Sequence, residues 1–205
     1  MTLVLMVMMK GLLYKWLFHA VFGHKRFQPI FIKMQYFGSL GQNIGLGWGI
    51  SSSGELQLLK ELASKIWATR TTEAPVIIAD VGANRGDYSH EVNAIFHATN
   101  IPYRIYAFEP SPSAFKILSQ RFKQDEPVTL FNNALGDELG GRTLYIEGPA
   151  DTTASFLQPS AGGKYISEFE EVRVDTQDHF FEQSGLSHID YLKIDTEGFD
   201  LRVLR

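Results

Sequence analysis

Residues 78–89 read Ile-Ala-Asp-Val-Gly-Ala-Asn-Arg-Gly-Asp-Tyr-Ser. The residues leading into them, Val76, Ile77, Ile78 and Ala79, form an apolar run, the mark of a strand buried on both faces. Asp80 is predicted to end that strand. Gly82 and Gly86 bracket a tight loop, and Tyr88-Ser89-His90-Glu91 opens a helix. A strand, a glycine-bearing turn and a helix make a nucleotide cradle, because glycine lets the backbone approach a ligand with no Cβ in the way.

The spelling of the loop narrows the nucleotide. A dinucleotide site wants glycine at the first, third and sixth positions. Counted from Gly82, the third and sixth are Asn84 and Asp87. Asp87 also sets a negative charge at the helix N-terminus, where a pyrophosphate would sit. An NAD-binding oxidoreductase is disfavoured on both grounds. S-adenosylmethionine has no phosphate, carries a sulfonium, an ammonium and a carboxylate, and tolerates acidic neighbours. Asp80-x-Gly82-x-Asn84-x-Gly86 fits the acid-x-Gly-x-(Gly/Asn)-x-Gly loop of adenosylmethionine-dependent methyltransferases. The next predicted strand, 103–108, ends at Glu109, followed by Pro110-Ser111-Pro112. An acid there can hydrogen-bond both ribose hydroxyls; its alternative role is a helix cap.

A third element is His188-Ile-Asp-Tyr-Leu-Lys-Ile-Asp-Thr-Glu-Gly198. With it the chain resembles the FkbM family of methyltransferases. The resemblance rests on Asp80–Ser89, Phe108–Pro112 and Asp190–Gly198, in that order and spacing, and on Asn133-Ala134-Leu135-Gly136-Asp137 after the third strand. It covers roughly residues 54–205. It implies a doubly wound, Rossmann-like α/β sheet and methylation of a hydroxyl on a small molecule, sugar or glycan, with adenosylmethionine as donor. The candidate cofactor residues are Asp80, Gly82, Ala83, Asn84, Gly86, Tyr88, Ser89, Glu109, Pro110, Asn133 and Ala134. A non-catalytic adenosylmethionine-binding module or fragment is the alternative.

A hydroxyl acceptor needs a base to remove its proton. Along the predicted strand 190–195, Tyr191, Lys193 and Asp195 share a face, and Glu197 follows beyond the strand end. Polar residues at the carboxyl end of a central parallel strand mark the crevice where open α/β sheets bind ligands. Asp195 is the first candidate for base, Glu197 the second, and Lys193 is expected to hold Asp195 in place. The competing reading makes Asp195 or Thr196 the cap of the next helix. Two carboxylates could also hold Mg²⁺. No third ligand is evident, and no metal site is assigned. His90, His179 and His188 read as surface or loop residues, Asp178 as a cap, and Ser155 as part of a loop that could face substrate.

The 205 residues suffice for one domain and an extension: 1–53 as an apolar helix with a Gly-rich linker, 54–205 as the methyltransferase domain. A net charge of −4 with no basic cluster argues against a nucleic-acid partner. The absence of cysteine removes disulfides and thiolate metal sites and fits a reducing cytoplasm. Residues 1–22 are apolar at helical spacing but interrupted by Lys10, Lys15 and His19, short of the ~20 residues that span a bilayer. A peripheral membrane helix, a partner-docking helix and a helix folded on the domain stay open, as does a start at Met6, Met8 or Met9. Residues 23–53 read as irregular, with Gly41–Gly49 a linker or lid. A helix is expected over 54–70 with Ser53 as cap, then helices 88–98, 112–124 and 177–184 and a strand at 128–131. Paired strands are expected near 142–146 and 170–174 with Gly140-Gly141 as a turn. From Glu197 a last helix should bury Leu201 and Leu204. The resemblance implies a seven-stranded sheet, of which roughly the last three strands have no residues here, so either the chain is a fragment whose strand 190–195 presents a bare edge or something else covers that edge.

Overall fold

The computed structural model describes residues 24–42, 50, 54–122, 127–146, 154–156 and 168–205. The chain divides into two compact units, Met1–Ser53 and Gly54–Arg205. In the first, a short 3₁₀ turn (Lys25–Phe27) leads into helix α1 (Gln28–Gln42). This corrects the expectation of irregular structure. Pro29 falls in the first helical turn, where its missing N–H costs nothing, and a helix-interior glycine such as Gly38 costs only about 1 kcal/mol. Residues 1–22 and the Gly45–Gly49 stretch lie outside the described residues. No helix among the described residues is long and apolar enough to cross a membrane.

The second unit is α/β. Its parallel sheet has the order β3-β2-β1-β8, from β1 (Val76–Val81), β2 (Tyr103–Phe108), β3 (Val128–Phe131) and β8 (Tyr191–Ile194). Four helices belong with it: α2 (Glu55–Lys65), α3 (Asp87–His97), α4 (Pro112–Arg121) and α5 (Gln177–Ser184). All six β1 residues are buried, as the apolar run requires. Alternate side chains serve opposite faces. Ile77, Val81, Tyr106 and Phe108 pack with Phe180 of α5 and with Phe199, while Ala107 packs with Ala83 and Leu118 of α4. Helices therefore cover both faces of a right-twisted parallel sheet, the doubly wound arrangement.

Between β3 and α5 the chain builds a second sheet of order β4-β7-β5-β6. Its strands are β4 (Ala134–Gly136), β5 (Gly140–Ile146), β6 (Ala154–Ser155) and β7 (Glu168–Thr176). The pairing of β5 with β7 is antiparallel, and Gly140 and Gly141 are its first two rungs rather than a turn. Other boundaries also shift. Helix α2 ends at Lys65, followed by a 3₁₀ turn at Trp67–Thr69, and its N-cap is Gly54 at φ +84°, not Ser53. The last helix, α6 (Asp200–Val203), is one turn long. It buries Phe199 and Val203, whereas Leu201 and Leu204 are exposed. Phe199 decides this, since its ring packs on Phe156 at 4.7 Å and orients the turn.

Two features fix β8 against β1. The Asp80 carboxylate has no exposed surface. Its Oδ2 accepts a hydrogen bond from Ser89 Oγ of α3 at 2.7 Å. Strand register sets Lys193 directly beside it, with Nζ 3.3 Å from Oδ1. That contact is an ion pair without hydrogen-bond alignment, so Oδ1 is compensated by charge alone. Burial opposes the Lys193 charge, but the Asp80 and Asp195 carboxylates outweigh it and hold the ammonium pKa above its usual value. The second feature is Gly82, at φ +82°, where a Cβ would lie 2.0 Å from the Asp195 carbonyl oxygen.

Gly82→Ala is expected to destabilise by at least about 2 kcal/mol in denaturant titration, because both the left-handed backbone and the Asp195 carbonyl oppose a methyl. Lys193→Met leaves a buried carboxylate unpaired and should cost about 3–5 kcal/mol. A lysine whose folded pKa is raised contributes stability fully below its unfolded value and loses it as pH rises through the folded one. The gap between wild type and Lys193→Met should therefore be flat from about pH 8 to 10 and close above about pH 10.4.

Candidate functional site

The carboxyl ends of β1, β2 and β8 open, together with the inner face of the second sheet, into a cavity of about 260 Å³. That is near the lower end of the ~300–1,000 Å³ usual for small-molecule sites. Its floor is the loop after β1. Gly82 N and Ala83 N donate to the Phe108 carbonyl at 3.0 and 2.9 Å, which binds the loop to the end of β2. Asn84 takes a left-handed conformation at φ 51°, which asparagine tolerates better than most residues. Gly86 is the cap of α3, and its bare Cα faces Leu118 of α4.

Glu109 stands at the end of β2 with 6% of its surface exposed. Its two carboxylate oxygens are held apart by two backbone donors: Asn84 N gives to Oε2 and Ser111 N to Oε1, each at 2.8 Å. The acid therefore braces the glycine loop against the start of α4 and keeps a free lone pair on each oxygen. Burial pushes its pKa above the ordinary carboxylate range against the pull of those two N–H groups, and the Asp80 and Glu170 charges push the same way. Ser111 caps α4 through a long bond from Ala114 N at 3.5 Å, so the cap and the acid are different residues.

At the other wall, Asp195 and Glu197 follow β8, and both line the cavity. The Asp195 side chain is 63% exposed, with Oδ2 3.5 Å from Lys193 Nζ. It caps nothing: the α6 cap position is Phe199 and has no side-chain bond, while Asp200 closes the turn by accepting from Thr196 N and Oγ1 at 2.9 and 2.6 Å. Glu197 is left-handed at φ 51°, with its carbonyl accepting from Ser155 Oγ at 3.0 Å. A glutamate held there is backbone strain of the kind that gathers at ligand sites, about 1–3 kcal/mol.

The sequence candidates thus separate into two groups. Gly82, Asn84, Glu109, Pro110, Ala134, Asp195 and Glu197 line the cavity. Asp80, Ala83, Gly86, Tyr88, Ser89, Asn133 and Lys193 are not among the residues that line it. Asp80, Ser89 and Lys193 form the buried tie, and Asn133 turns its amide to the Ala134 carbonyl at 3.1 Å. Tyr88 donates to Tyr191 Oη at 3.2 Å beneath the Lys193 ammonium, and burial followed by that bond pushes its phenol pKa far up. His179 pairs with Asp175 at 2.7 Å and His188 with Asp190 at 3.5 Å, both away from the cavity lining. Among the described residues, no three or more His, Asp or Glu side chains gather as metal ligands.

Sequence reasoning missed the roof. Leu144, Ile146, Phe156 and Glu170 line the cavity from the second sheet, and Arg85 is the basic side chain among its described lining residues. Alternation carried a usable signal for Glu170. It shares a strand face with Val172 and Val174, so wherever those valines are buried it must point inward as well.

A solved structure of methyltransferase FkbM from Methylobacillus flagellatus KT is 14% identical over 74% of this chain, at a TM-score of 0.41. The chain spans about a third of that structure's length, 36%. No curated protein matches. The family model described as the methyltransferase FkbM domain matches residues 80–205, from the buried Asp80 of β1 through β8 and α6. That match takes in more than half of the sequence, and the chain belongs to the FkbM methyltransferase family.

Proposed function

We propose that this protein binds S-adenosylmethionine and transfers its methyl group to a hydroxyl of a small molecule, sugar or glycan. What carries the reading is one juxtaposition: the glycine loop, the braced Glu109 and the carboxylates after β8 all open into a single cavity. The donor set fits the cofactor. Gly82 permits close backbone approach, and Glu109 keeps a lone pair on each oxygen for the paired ribose hydroxyls. Arg85 offers a counter-charge to a carboxylate, and the acidic wall suits a cationic ligand. When bound, adenosylmethionine supplies a methyl group already activated by its sulfonium.

The protein's own task is then alignment and proton removal. Asp195 lies in the cavity wall with one oxygen toward Lys193 and most of its side chain accessible, the placement a general base needs. Lys193 orients it from the buried side and does not itself line the cavity. Glu197, next along the same wall, is the other carboxylate within reach of an acceptor.

Isothermal titration with adenosylmethionine, adenosylhomocysteine and NAD tests the cofactor: the first two should bind and NAD should not. Glu109→Ala should weaken adenosylhomocysteine binding by about 1–3 kcal/mol, and unchanged affinity would remove the ribose assignment. Assayed against a panel of sugar, glycolipid and polyketide hydroxyls, Asp195→Asn should lower turnover about 10²–10⁴-fold with little change in cofactor affinity. Glu197→Gln, run in parallel, identifies which carboxylate is the base. Near-full turnover in both amide variants would mean that catalysis rests on alignment alone.

A further inference from the structure

Glu170 occupies a position that strand alternation reserves for an apolar residue. On β7 its face is shared by Val172 and Val174, which are 5% and 1% exposed, whereas Phe169 on the other face is 70% exposed. Its partner across the antiparallel ladder is Leu144, itself buried. The Glu170 Oε2 atom is buried and has no hydrogen-bond partner among the described residues. An acceptor in that state costs free energy until a donor reaches it. Glu170 also lines the cavity, so a ligand there can supply the donor.

Strand order tells which end of the cavity it serves. β7 pairs with β4, and β4 follows directly on β3, the neighbour of β2. Glu170 precedes the paired stretch that begins at Val174 and Ala134, which carries it toward the ends of β2 and β3, where Glu109 stands. Its charge is among those that push on Glu109. β5 intervenes between β7 and β6, whose Ser155 contacts Glu197 at the β8 wall. Glu170 therefore lies on the Glu109 side of the cavity, the nucleoside end in the donor reading, one strand removed from the strand that meets the β8 wall.

Resting on the donor reading above, we propose that Glu170 is the residue that selects the nucleobase: it accepts a hydrogen bond from the exocyclic amino group of adenine. An ionised carboxylate can only accept, and that amino group is the hydrogen-bond donor of the base. Pro110, Ile117, Leu144 and Ile146 line the same cavity and give a flat base apolar surroundings. A base with a carbonyl in place of the amino group would set oxygen against oxygen and be rejected.

The test uses the 205-residue chain, calorimetric titration, and two ligands that differ at this group: S-adenosylhomocysteine and S-inosylhomocysteine. Wild type should bind the adenosyl compound about 10–100-fold more tightly. Glu170→Leu should abolish that preference, by weakening the adenosyl compound and by relieving the repulsion against the inosyl one. With no ligand present its melting temperature should rise by about 2–4 °C, because a buried unpaired acceptor is replaced by an apolar side chain. Equal affinity of wild type for the two ligands overturns the proposal without needing any variant, and leaves the donor reading intact. An unchanged adenosyl preference in Glu170→Leu overturns it too, and if turnover falls at the same time, Glu170 serves the acceptor. Failure of wild type to bind either compound overturns the donor reading itself.

Discussion

A carboxylate with no exposed surface lies in the middle of the parallel sheet, and much of the architecture answers to it. Asp80 must be compensated, since an unpaired charge at that depth would cost several kcal/mol. Ser89 supplies a hydrogen bond and so sets the rotation of α3, while Lys193 supplies the opposite charge and so sets the register of β8. These two partners bring the glycine loop and the carboxyl end of β8 to a common level. Gly82 then permits an approach between them that a single methyl group would prevent. The cavity is the space left above that joint.

The walls are polar in an ordered way. Glu109 spends its oxygens on backbone donors from two different loops, so it is a brace as well as a candidate ligand. Asp195 is held by one cation and otherwise open, and Glu197 is fixed through its own carbonyl. Each carboxylate is oriented by a different device, which lets neighbouring groups of like charge take different roles.

The parts legible in the sequence were those whose physics is local. An apolar run gave β1, glycine spacing gave the loop, and an acid after an aromatic strand gave Glu109. Strand parity put Lys193 and Asp195 on one face, and the observed contact at 3.5 Å agrees. What escaped depends on partners distant in the chain. Leu201 and Leu204 look like a buried face until Phe199 packs on Phe156 and turns the helix the other way. Gly140 and Gly141 look like a turn until β7 arrives to pair with them. The helix over Gln28–Gln42 was obscured by glycines and a proline that a helix tolerates at those positions. The roof of the cavity escaped because nothing in residues 168–176 says which surface their inward face will meet.

The pairing of β1 with β8 has a consequence for how the molecule is made. Ile77 N donates to Asp190 across 113 residues, and the Asp80–Lys193 tie spans a similar distance. A chain emerging from the ribosome presents β1, β2, β3 and the whole second sheet before the counter-ion of Asp80 exists. Closing so long a loop is slow, and until it closes Asp80 has no counter-ion in the half-built sheet. The candidate cleft thus gains its β8 wall in the same event that gives Asp80 its counter-ion. A nascent chain that has not yet made β8 would hold Tyr106, Phe108, Phe131 and Phe180 together while its cavity lacked a wall, which ties the shape of the candidate cleft to the docking of that strand.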